Sequence, residues 1–125
     1  MLQYSVCSFD IFVEEVFTSL LSGAALAIPS EDDKKDIRSL MAFVERHGIT
    51  MLSGFPYLLA EMNNLPKVPG SLRLLISGDD VLRAHHVDHL LESSGVAKKL
   101  YHEPIKSTFD GQTIYRLSFM RGLII

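Results

Sequence analysis

At 125 residues, 47% apolar and 22% charged, the sequence has the size and composition of one globular domain. Such a domain buries roughly 65–70% of the surface its unfolded form exposes, which excludes a disordered chain. A net charge of −3, with no basic stripe interleaved with aromatic residues, excludes a nucleic-acid-binding footprint.

The opening MLQYSVCSF has no basic stretch ahead of an apolar core and does not read as a secretory signal. Ile11–Leu21 then sets Phe12, Val16 and Leu20 beside Val13, Phe17 and Leu21, a wide apolar helical face expected to point inward. Gly23 follows as a C-terminal cap. Ala24–Ile28 is a continuous apolar run ending at Pro29, the pattern of a strand buried on both faces. Ser30 and the acidic turn Glu31-Asp32-Asp33 open a second helix, with Ile37, Leu40, Met41 and Val44 on one face and Gly48 at its end.

The cycle repeats with Ile49–Leu52 as a strand, Phe55–Met62 as a short helix and Asn63–Pro69 as a loop. Leu72–Ile76 reads as a third strand, Asp79 and Asp80 open a helix reaching about Ser93, and Ala97–Tyr101 is a fourth strand. Tyr115, Leu117 and Phe119 alternate with Arg116 and Ser118 as an edge strand. Strands separated by helices at this spacing predict an α/β fold, a mostly parallel sheet flanked by helices. The apolar runs stop short of the ~20 residues that cross a bilayer, and the single Cys7 forms no internal disulfide. A cytoplasmic chain with no membrane partner and no nucleic-acid partner is expected.

His85 and His89 stand at i,i+4 with His86 and Asp88 nearby, but no general-base Glu and third ligand accompany them, and a solvated helix face is the better reading. No metal site is assigned. Ser77-Gly78-Asp79-Asp80 falls where a strand gives way to a helix, the place where parallel α/β sheets bind ligands, although a plain N-cap also accounts for Asp79. No G-x-S-x-G elbow supplies a nucleophile. Asp10 precedes an apolar helix, as a favoured N-cap does.

Phe9-Asp10-x-x-Val13-x-Glu15-x-Phe17-x-x-Leu20-Leu21-x-Gly23-Ala24-x-Leu26 resembles the aromatic–Asp segment of adenylation domains of nonribosomal peptide synthetases, members of the adenylate-forming ligases. Ile49-Thr50 followed by Pro56, and Leu72-Arg73-x-x-Ile76-Ser77-Gly78-Asp79, resemble two further family segments in the same order. The resemblance runs from Gln3 to Tyr101, with a degenerate motif and edge-strand tail over 102–125. It implies part of the large N-terminal region of an adenylating enzyme, matching about a quarter of its length. The family's reaction joins an amino acid to ATP, with magnesium, and passes the acyl group to a carrier protein.

By position, the resemblance assigns Asp10 to the substrate's α-ammonium, and Ile11, Glu14, Ser53, Leu75 and Ser77 to the substrate pocket. It assigns Ser77, Gly78, Asp79 and Pro104 to the nucleotide. Glu14 hints at a polar or basic substrate side chain, and reads equally as a helix-surface acid. The family's phosphate loop would lie before Phe9, and its ribose-binding Asp and catalytic Lys beyond the last residue. Where the family carries Tyr-Gly-Pro-Thr-Glu, the simplest alignment of Tyr101-His102-Glu103-Pro104-Ile105-Lys106 sets Ile105 and Lys106 at the Thr and Glu positions. Glu103 is the one candidate to stand in for the lost acid. The expectations are therefore no catalytic residues, no tight binding of ATP or Mg2+ and no adenylation by the chain alone. Self-association through the apolar tail Leu117–Ile125 is a further expectation. The rival reading is a non-catalytic binding module that keeps the fold.

Overall fold

The structure, a computed structural model, describes residues 1–78, 81–92 and 99–102. Three strands, β1 (Met51–Gly54), β2 (Leu74–Ser77) and β3 (Lys99–His102), form a parallel sheet in the order β1-β2-β3. The first residues extend its β1 side: Leu2 N–H donates to Met51 O at 2.9 Å, and Gln3 N–H donates to Ala27 O at 2.8 Å. The expected α/β class and parallel pairing are borne out.

Three strand expectations need correction. Ala24–Ile28 is not a strand buried on both faces; it makes one isolated parallel bridge, Ala27 to Leu2, and Ile28 is 68% exposed. Met1–Gln3 fills the position between this segment and β1, so the run lies at the rim. The second and third strands begin later than their apolar runs. Thr50 O instead caps the neighbouring segment, accepting from Arg73 and Leu74 N–H at 2.8 and 3.1 Å.

The helices divide between the two sheet faces. Helix α3 (Ile37–Arg46) and helix α4 (Pro56–Asn63) bury Leu40, Met41, Phe43, Val44, Leu58, Leu59 and Met62 against Leu52, Leu72 and Leu75. Pro56 suits the first turn of α4, where its missing N–H has no helical partner. The helix expected from Ser30 is two helices. Ser30 and Asp33 form a reciprocal capping box on the short α2 (Glu31–Lys34), and Asp36 starts α3 afresh by accepting Ser39 N–H at 2.8 Å. Gly48, at φ +58°, turns the chain out of α3. Gly48→Ala puts a Cβ into the left-handed region and is expected to cost about 1 kcal/mol in urea unfolding.

The two caps also make an acid-side prediction. Hydrogen bonds from Ser30 hold the Asp33 carboxyl below its ordinary range, and those from Ser39 do the same for Asp36. A depressed folded-state pKa contributes stability above the unfolded value, near 3.8, that is lost as pH falls through the folded value. Helical circular dichroism should weaken below that range, and Asp36→Asn should remove the part of the decline that belongs to this cap.

The expected long helix from Asp79 is also corrected. Residues 81–83 carry no regular structure, Ala84–His86 is a 3-10 turn, and α5 (Asp88–Glu92) starts separately. His85 and His89 therefore do not share a helix. Asn63, at the end of α4, ties the two pieces down: its amide donates to Asp88 Oδ1 at 2.7 Å and to His85 O at 3.2 Å, while its carbonyl accepts Leu90 N–H at 2.8 Å.

Candidate functional site

Helix α1 (Asp10–Leu21) lies against β1 on the sheet face opposite α3 and α4. Its buried line is Ile11, Glu15 and Ser19, not the apolar stripe expected from periodicity. Val13, Phe17, Leu20 and Leu21 are exposed. The line that faces inward is decided by Glu15, which is fully buried. Its carboxylate accepts Ser5 Oγ–H at 2.6 Å, Tyr4 and Ser5 N–H each at 3.2 Å, and the Gln3 amide at 3.4 Å. These bonds fasten the edge segment 3–5 to the middle of α1. The sequence offered one signal for this role: an acid spaced i+4 from Ile11 and i−4 from Ser19, inside an otherwise apolar helix.

The start of α1 is fixed from a second side. Phe9, the N-cap residue, packs its ring edge-on against Phe55 at 6.0 Å, just ahead of α4. Asp10 consequently stands over the carboxyl ends of β1 and β2, where Gly54 and Ser77 are paired. There a cleft of about 370 Å³ is lined by Asp10, Ile11, Glu14, Ser53, Ile76, Ser77 and Gly78. Asp10 Oδ1 accepts Ile11 N–H at 2.9 Å, so it contributes to the helix start as well as to the cleft.

Five of the six expected substrate-pocket residues thus come together, with Ser77 and Gly78 of the nucleotide set. Leu75 does not. Strand alternation pairs Leu75 with Leu52, both in the core under α3 and α4, and pairs Ile76 with Ser53 on the cleft side. The residue on the cleft wall is Ile76, which the sequence reading passed over. Asp79, Glu103, Pro104, Ile105, Lys106, the edge strand at Tyr115–Phe119 and the tail Leu117–Ile125 lie outside the described residues.

Two other grooves have nearly the same volume, about 350 Å³ along α3 and the 65–69 loop, and about 370 Å³ between Tyr4, the 34–37 segment and Tyr57. Volume does not separate the three; chemistry does. Among the described residues, the hydroxyls of Ser19, Ser53, Ser71 and Ser77 are buried without a hydrogen-bond partner, and two of these residues, Ser53 and Ser77, line the cleft at the strand ends. Among the described residues, a Cβ added at Gly78 would come within 4 Å of Ile11 Cδ1 alone, at ordinary contact distance. Among the described residues no three His, Cys, Asp or Glu side chains gather to hold a metal ion, and no step through magnesium is assigned to them.

Residues 1–102 match the model of the AMP-binding enzyme family. A chain with this match, this fold and this cleft belongs to that family. The N-(5-amino-5-carboxypentanoyl)-L-cysteinyl-D-valine synthase of Penicillium rubens is 30% identical over 87 residues, 70% of this chain and 2% of that protein. The adenylation domain AlmE of Vibrio cholerae, solved with glycyl-adenosine-5'-phosphate, is similar with a TM-score of 0.66 and 25% identity, over 82% of this chain and 20% of that one. The nonribosomal peptide synthetase FmoA3, in an AMPPNP-bound form, shares the fold with a TM-score of 0.70 at 20% identity, over 82% of this chain and 12% of that one. The chain therefore spans a fifth or less of each of these proteins. The resemblance to nonribosomal peptide synthetase adenylation domains is borne out.

Proposed function

We propose that this chain is the amino-acid-recognising part of an adenylation domain whose full reaction activates an amino acid with ATP and delivers it to a carrier protein. The observation that carries this reading is the position of Asp10 at the strand ends, on the rim of a cleft lined by Ile11, Ser53, Ile76, Ser77 and Gly78. Asp10 accepts N–H bonds from the substrate's α-ammonium, and Ile11 and Ile76 bound the cleft with apolar surface. The Ser77–Gly78 backbone borders the nucleotide, whose phosphate chemistry is supplied by ATP when bound. The chain alone does not complete the reaction, because catalysis of this type rests on positioning and electrostatic stabilisation of the transferring group. The cell interior is its compartment.

Calorimetric titration with free amino acids and their N-acetyl derivatives tests the reading. Free amino acids should bind at millimolar concentration, and acetylation, which removes the cation, should abolish the heat. Equal heats from both forms would overturn it. ATP–pyrophosphate exchange should remain at background, and clear exchange would refute the inactivity of the isolated chain.

A further inference from the structure

The fold leaves outside the apolar face that periodicity gives α1. With Ile11, Glu15 and Ser19 buried, the opposite side of the helix presents Val13, Phe17, Leu20 and Leu21, which are 51%, 55%, 57% and 83% exposed. Steps of four, three and one residues set these side chains in one continuous stripe. Partly buried Phe12 and Val16 form its margin on one side, and Asp10 and Glu14, on the cleft wall, form the other. No charged residue interrupts the stripe, and α1 has no Lys or Arg. A contiguous exposed apolar patch of this kind marks a contact surface.

We propose that the occupant of this stripe is the same stripe on a second copy of the chain, the two α1 helices packing antiparallel about a two-fold axis near Phe17. At about 150–200 Å² for a large side chain, the four residues expose on the order of 400 Å² per copy. The paired face, with Phe12 and Val16 at its margin, takes roughly 1,000 Å² from water, the lower bound for a specific, reversible interface. Charge fixes the direction. Parallel helices would bring Asp10 and Glu14 of the two copies together, with no cation on either helix to offset them. Antiparallel packing separates the two Asp10 residues by about 20 Å and the two Glu14 residues by about 9 Å along the axis, beyond the ~8 Å at which salt screens exposed charge. The two helix dipoles then oppose one another. A two-fold contact is self-complementary, so association closes at two copies.

Analytical ultracentrifugation of the full chain should show its molar mass rise toward double as concentration is raised from micromolar to millimolar. Val13→Glu and Leu21→Lys, each made alone, should weaken that association at least about tenfold. Both side chains are exposed, and circular dichroism confirms that each variant is folded. The two-fold brings Val13 of one copy against Leu21 of the other, so mixing the two variants should restore a one-to-one dimer through an ion pair. A chain that stays monomeric at millimolar concentration would overturn the proposal and leave the stripe to the remainder of a larger adenylating enzyme. Association that Leu123→Lys abolishes and the two α1 variants leave unchanged would overturn it in favour of the tail. Two weakened variants that do not recover on mixing would overturn the antiparallel pairing.

Discussion

Glu15→Ala should destabilise the chain by about 3 kcal/mol, the largest single-site loss expected outside the apolar core. Its carboxylate is buried among donors alone: the Tyr4 and Ser5 amides, the Ser5 hydroxyl and the Gln3 side chain. Truncation strands these groups, and each buried donor without an acceptor costs on the order of 1–3 kcal/mol. Glu15→Gln should fall between. Its carbonyl can keep the contacts now made by Oε2, but its amide points two further N–H groups into a ring of donors. Urea unfolding measures both variants. A Glu15→Ala chain as stable as the native one would show that segment 3–5 is held by its sheet contacts alone.

Asp10→Ala is expected to weaken amino-acid binding about tenfold or more while leaving the unfolding midpoint nearly unchanged. The asymmetry follows from the surroundings. Asp10 is exposed, and the one described hydrogen bond of its side chain within the chain is accepted from the adjacent Ile11 N–H, so the fold loses little with it. An approaching ammonium has more to lose, since Asp10 is the acid at the cleft's outer rim. Asp10→Asn separates charge from shape, because it keeps an acceptor for Ile11 N–H and removes the negative charge. Binding should fall in both variants. Retained binding in Asp10→Asn would mean that hydrogen bonding, not charge, recruits the ligand.

Much of the layout was legible because the relevant signals are local. Pro56 at the head of an apolar octet, Gly48 after Val44 and the acidic turn after Ser30 each announce an element boundary through backbone chemistry. What stayed hidden depends on tertiary choice. Helical periodicity gives α1 an apolar stripe but cannot tell that a buried Glu15, paired with residues ten and more positions earlier, turns a different stripe inward. Likewise a strand's alternation is visible while its phase is not, so Leu75 was placed on the cleft wall that Ile76 occupies. Ala24–Ile28 looked like a central strand because nothing in Met1–Gln3 marked that segment as its neighbour and the link to β1. The break between α2 and α3 was hidden by two adjacent capping acids, Asp33 and Asp36, each able to serve one continuous helix.

Amide chemical-shift mapping during titration with free amino acids tests the central claim most directly, because three grooves of similar volume compete for any small ligand. The largest changes should cluster at Asp10, Ile11, Ser53, Ser77 and Gly78. Changes centred on Lys34–Ile37 and Tyr57, or on Leu65–Pro69, with the strand ends silent, would contradict the assignment of the recognition site.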